Sequence, residues 1–242
     1  MDIISNKKEL LQLIKREGGR SLKFASENLK ADSAIVIKAV QDDGMALEFA
    51  SQNLKSDRAI TLEAIRFCEK AFKFTSDNLK SDRAFILEVI KENGGVIEFV
   101  SDCIKSDKEI ILEAVKSDPR AFQFASEHLK SDRSFVFEAV KENGYVLLAD
   151  DSFKSDKEIV LEAVKKSGRV LEHASDTLKS DKEIVLEAVK QDGWALKHAS
   201  EHLKSDRAIV LEAVKKNGRA LEFASDSLKA DKEIILEVLK GN

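Results

Sequence analysis

The sequence predicts an all-α solenoid of about nine two-helix repeats, each of roughly 25 residues, plus a terminal half repeat. Three observations predict it. First, Ser56-Asp57-Arg58, Ser81-Asp82-Arg83, Ser106-Asp107-Lys108 and Ser131-Asp132-Arg133 recur at steps of 25 residues, the mark of a tandem array. After a one-residue slip the period resumes at Ser155-Asp156, Ser180-Asp181 and Ser205-Asp206, with Ala31-Asp32 and Ala230-Asp231 as variants. Second, the chain of 242 residues has one proline and ten glycines, which suits many short helices joined by tight, regular turns. Third, the apolar residues of each unit cover too wide an arc for a surface helix.

Each unit opens with its longer helix. Between Asp206 and Gly218, the residues Ile209, Val210, Leu211, Ala213 and Val214 are apolar and span about 200° of helix surface at about 100° per residue. Such an arc needs neighbours on both sides, which stacking supplies. Asp206 is placed to cap the helix by accepting from its first free backbone N–H groups, and Gly218 to end it in the left-handed conformation. Asn6 takes the cap position in the first unit. In Ser155-Asp156-Lys157-Glu158 and Ser180-Asp181-Lys182-Glu183 a capping box with Ser as cap is the alternative; Ala31 and Ala230 in place of Ser favour Asp.

A shorter second helix is expected from Arg219 to Ser225, with Ala220, Leu221, Phe223 and Ala224 facing the core and Leu228 closing the turn to the next unit. The whole chain, 1–242, reads as one array. Residues 1–30 form an atypical cap unit, with Gly18-Gly19 and Gln12, and residues 230–242 a half-repeat cap whose helix runs from Asp231 to Lys240 and is followed by Gly241.

A net charge of −4 offers no chain-wide attraction to nucleic acid or an anionic membrane. Cys68 and Cys103 are too few and too far apart for a disulfide framework or a metal pair. No signal-peptide core and no long uncharged apolar run is present, so a cytoplasmic protein is expected.

The unit S-D-[RK]-x-I-V-L-E-A-V-K-x-[ND]-G-x-A-L-x-F-A-S-x-x-L-K resembles a family of short helical repeats known as domain of unknown function 4116. Residues 181–203, from Asp181-Lys182-Glu183-Ile184-Val185-Leu186 through Gly193 to Ala199-Ser200 and Leu203, carry the resemblance almost throughout. It implies a helical array, and no catalytic residue, cofactor or named partner.

Asp57, Asp82 and Asp107 recur in every unit and are explained by capping. The acids of the Ser175–Asp181 loop have a second reading as calcium ligands, but the loop lacks glycine-rich, oxygen-dense spacing. Function is expected where the pattern breaks. His173 and His198 replace the core Phe of successive units, as core histidines, a proton-sensitive contact or a metal pair. Tyr145 and Trp194 stand just after the turn glycine, where other units carry Arg120, Arg169 or Arg219. They read either as contact surface or as rings folded over a neighbouring helix end. His128 and His202 fall in a solvated loop. The unit ending in Val146–Phe153 is one residue short and has lost its Phe-Ala-Ser segment. Phe67-Cys68-Glu69-Lys70 and Ser117-Asp118-Pro119-Arg120 lack the turn glycine, with Pro119 expected to end its helix.

The function expected is a non-enzymatic scaffold for a protein or peptide partner, with no catalytic residue, cofactor or metal, and with Tyr145, Trp194, His173 and His198 as the candidate interaction surface. The alternatives are a nucleic-acid-binding solenoid, from lysines such as Lys80, Lys105 and Lys130, or a structural protein that self-associates end to end.

Overall fold

The computed structural model describes residues 3–240. The chain divides into two compact units, Met1–Ser126 and Glu127–Asn242, and within each the fold is an all-α solenoid of stacked repeats.

One repeat of the second unit shows how the residues build it. Asp181 is extended, and its side chain accepts from the backbone N–H groups of Glu183 and Ile184, so Asp is the cap. The long helix Lys182–Gln191 buries Ile184, Val185, Ala188 and Val189. It packs against the long helices before and after it, Lys157–Lys166 and Arg207–Lys216. Asp192 is extended, with φ −144° and ψ 112°; it ends the long helix and caps the next segment by accepting from Trp194 N–H. A 3-10 helix, Gly193–His198, follows, and then a one-turn α-helix, Glu201–Lys204.

Each regular repeat therefore holds three helical segments. The second helix expected at Arg219–Ser225 is a 3-10 helix at Gly218–Phe223, followed by a short α-helix, Asp226–Lys229, in which Leu228 is buried. The i→i+3 bonding of a 3-10 helix is a form met in short pieces such as this six-residue segment.

The turn glycine also acts differently from expectation. Gly18 is the one described residue with positive φ, at 97°. Gly218 is not left-handed; the long helix before it ends at extended Asn217, whose N–H bonds Ala213 O at 2.9 Å. Glycine is needed because the next repeat comes so close: a Cβ on Gly193 would lie 2.4 Å from the Ala213 carbonyl oxygen, and one on Gly168 2.2 Å from that of Ala188. Pro119 opens its 3-10 helix, Pro119–Phe124, instead of ending the helix before it, since its missing N–H costs nothing at a first position.

Backbone rungs join neighbouring repeats. Ser51 N–H donates to Lys30 O at 3.0 Å, Ser76 to Lys55 at 3.0 Å, Ser175 to Lys154 at 2.8 Å, Ser200 to Lys179 at 3.0 Å and Ser225 to Lys204 at 3.0 Å. The Lys carbonyl closes one short helix and the Ser N–H opens the next, so these helices stack head to tail. Ile4 supplies the first rung, accepting from Ser26 at 2.8 Å. Among the described residues Ser101 makes no such bond. There the short helix gives way to a 3-10 turn, Ile104–Ser106. In the shortened unit the regular 3-10 helix is one residue shorter, Gly144–Leu148, and a 3-10 turn, Asp151–Phe153, stands in place of the one-turn α-helix.

The fully buried phenylalanines are Phe72, Phe85, Phe122 and Phe135. The recurring Phe at the end of the 3-10 helix, such as Phe49 or Phe223, is only half-buried and lies at the rim. His173 and His198, at the same position, are half-buried too and are not core residues. In the last helix, Lys232–Lys240, Ile235, Leu236 and Leu239 are 37%, 56% and 65% exposed. The expected Gly241 end lies outside the described residues. No described helix is long and apolar enough to cross a membrane.

Candidate functional site

The site is built on the 3-10 helices of the second unit, whose edges carry the residues following each turn glycine. Asp192 fixes the entry to its 3-10 helix with one oxygen, bonding Trp194 N–H at 3.0 Å, while its other oxygen accepts from Arg169 Nε of the preceding repeat at 2.7 Å. The Trp194 ring is half-buried and leans on Phe223 of the next repeat, with centroids 5.3 Å apart and planes 60° apart. Such a tilted pair holds the indole in one orientation.

A depression of about 270 Å³ opens beside it, lined by Arg169, Glu172, Trp194, Ala195, Lys197 and His198. His198 Nε2 lies 3.9 Å from Glu172 Oε2. Burial pushes the His198 pKa down; Glu172 opposes this, while Lys197, Lys179 and His173 reinforce it. The net direction is down, so His198 is neutral at neutral pH. His173 is near enough to act on His198 but does not line the depression.

Tyr145 is 38% exposed, and its hydroxyl lies 3.0 Å from Ser167 Oγ. It stands within electrostatic reach of Arg169, whose pKa is raised first by its bond to Asp192. Trp194 and His198 therefore share one depression, and Tyr145 stands beyond it on the same row, with Arg169 between. The residues missed from sequence are Arg169, Glu172 and Lys197. The signal was available: Arg169 stands one repeat before Trp194 at the same position.

Elsewhere the recurring residues have structural employment. Asp206 Oδ1 accepts from the Ala208 and Ile209 amides at 2.9 and 3.3 Å, and Oδ2 accepts from Lys182 Nζ at 2.5 Å. Arg58 to Asp82, Arg83 to Asp107, Arg133 to Asp156 and Lys157 to Asp181 repeat the pairing at 2.8, 2.6, 2.7 and 2.8 Å. The Asp-[Arg/Lys] pair of the motif is thus a cap and a link between repeats together, where the sequence suggested a cap alone. In the loop read as a calcium alternative, both Asp181 oxygens are engaged, by the Glu183 and Ile184 amides and by Lys157. Among the described residues no group of three His, Cys, Asp or Glu could hold a metal ion. Cys68 is half-buried and Cys103 exposed. His128 and His202 are exposed as expected, although they lie in short helices, with His202 Nδ1 3.0 Å from Ser200 Oγ.

The model of the family described as Domain of unknown function (DUF4116) matches residues 6–55, 34–80, 57–105, 82–130, 107–154, 132–179, 156–204, 181–229 and 206–242. The chain belongs to the DUF4116 family. No curated protein and no solved structure gives a significant match. The repeat unit of this chain leaves the residue after the turn glycine open, the position that Tyr145, Arg169, Trp194 and Arg219 occupy.

Proposed function

We propose that this DUF4116 chain is a non-enzymatic, cytoplasmic interaction scaffold that binds a protein or peptide partner along the 3-10 edge of its second unit. The observation that carries this reading is the depression at Trp194. An aromatic ring held by Phe223, a guanidinium held by Asp192 and a neutral histidine meet on an open surface. Fixed aromatic and Arg side chains at a surface are what binding hot spots are made of. The side chains suit holding a ligand better than turning one over: the Tyr145 hydroxyl is engaged by Ser167 and Arg169 by Asp192.

Cross-linked capture from a cytosolic extract tests it. A partner retained by the wild-type chain and lost with Trp194→Ala combined with Tyr145→Ala supports the reading; equal capture by both chains overturns it.

The nucleic-acid alternative is weakened by ion pairing of recurring lysines within several repeats. Lys130 lies 2.8 Å from Glu127, Lys204 2.8 Å from Glu201 and Lys215 2.9 Å from Glu212. Ion pairs of this kind cancel the basic stripe, so titration with single-stranded RNA at low salt is expected to be flat.

End-to-end association is favoured by the exposed Ile235, Leu236 and Leu239. It is opposed by charge: in the register of the internal links, Lys232 would meet Asn6 and Lys8 where an inner repeat such as Asp181-Lys182-Glu183 offers two acids. Sedimentation is expected to show a monomer at micromolar concentration.

A further inference from the structure

The spacing of the strip points to the kind of ligand it takes. In the second unit the long helices of successive repeats, Arg133–Glu142, Lys157–Lys166, Lys182–Gln191 and Arg207–Lys216, pack side by side in order. Helices packed in this way lie about 8–10 Å apart, so the step from repeat to repeat is about 9 Å. A polyproline II helix has three residues per turn and rises 3.1 Å per residue, a pitch of about 9.3 Å. A peptide in that conformation presents every third side chain to the strip in phase with the repeats.

Successive repeats offer Tyr145, Arg169, Trp194 and Arg219 at one position. Aromatic and guanidinium groups therefore alternate, each aromatic next to an arginine. Arg169 makes its bond to Asp192 through Nε, which leaves its two amino groups for a ligand carboxylate. Arg219 makes no ion pair among the described residues. Trp194, leaning on Phe223, offers an aromatic surface of the kind that prolines stack on. The acids of this face, Glu172 and Glu222, stand three residues further along their 3-10 helices, with Lys197 alternating between them; the row that the ligand follows contains no acid.

We infer that the strip binds an extended, polyproline-like peptide of the pattern Pro-x-x-Glu-x-x-Pro-x-x-Glu, with prolines on Tyr145 and Trp194 and carboxylates on Arg169 and Arg219. The inference rests on the interaction reading above and narrows its partner to one chemistry.

The chain holds a single tryptophan, so its intrinsic fluorescence reports Trp194 alone. A synthetic peptide of the stated pattern is titrated into the full chain, beside the same composition with its prolines and glutamates moved to every second position, and beside a lysine-for-glutamate version. Saturable change with the first peptide, at least about tenfold weaker with the other two, supports the inference. No response, or a response indifferent to spacing or charge, overturns it.

Labelled-peptide anisotropy with two variants completes the test. Arg169→Glu, at an exposed position, is expected to weaken binding about tenfold, and Trp194→Phe, which keeps a ring against Phe223, to weaken it by no more than about threefold. Binding unchanged by Arg169→Glu overturns the inference. The outcomes separate from those above: a protein captured through Trp194 and Tyr145, with every peptide silent, ends the peptide assignment and leaves the scaffold reading standing, whereas capture insensitive to those residues ends both.

Discussion

At the scale of single residues, a few atoms set close contacts that larger features depend on. Gly193 faces the Ala213 carbonyl oxygen so closely that a methyl group would overlap backbone, and backbone cannot swing aside. Gly193→Ala is expected to cost about 1–3 kcal/mol, read from urea unfolding. Gly95→Ala is the contrast: the nearest atom to its Cβ is the Glu69 carboxylate oxygen, on a flexible side chain, and a change under about 0.5 kcal/mol is expected. Asp206 does two jobs with two oxygens. Asp206→Ala removes both, at about 1–2 kcal/mol, while Asp206→Asn keeps the cap and costs less. The link to the preceding repeat lowers the pKa of Asp156, Asp181 and Asp206, through Arg133, Lys157 and Lys182 respectively. Their contribution is full above the unfolded carboxylate range and is lost as pH falls below about 4 and through the depressed folded values. His198, also lowered, contributes stability above its unfolded value of about 6.5 that is lost as pH falls from there through the folded value. His198→Phe, which restores the residue found at Phe223, is expected to flatten the stability slope between about pH 7 and pH 5, measured by thermal melts across that range.

At the scale of the element, the short helices matter out of proportion to their length. None would persist alone, yet Lys179 and Lys204 pass their terminal carbonyls to the Ser200 and Ser225 amides of the next repeat. Amide hydrogen exchange is expected to be slow at Ser51, Ser76, Ser175, Ser200 and Ser225 and fast at Ser101, where the rung is missing. Equal protection at all six positions would count against head-to-tail stacking. The turns at Ile104–Ser106 and Asp151–Phe153 show the cost of losing the regular segment: a 3-10 turn replaces the one-turn α-helix in each case.

At the scale of the whole molecule, no repeat owns its core. Ile184, Val185, Ala188 and Val189 are fully buried only because helices lie on both sides of theirs. Stability in such an array is a sum over neighbour contacts. A peptide of residues 181–205 is accordingly expected to be unstructured by circular dichroism, even though the same residues are regular throughout in the chain. The Asp-[Arg/Lys] links work in the same way, since each joins a helix start to the next.

Much of this was legible in the residues themselves. The period of 25, the Asp caps and the buried Ile-Val-x-x-Ala-Val stripe could be read directly, because capping and helical periodicity act within a few residues of one helix. What the tertiary structure alone decided lies between residues one repeat apart. It set the 3-10 form of the second segment and the glycine pressed against an alanine carbonyl. It placed the recurring Phe, and with it His173 and His198, at the rim. It brought Arg169 onto Asp192, and Trp194 onto Phe223. Sequence spacing says that such residues are neighbours; only the approach and rotation of the packed helices decide which atoms meet.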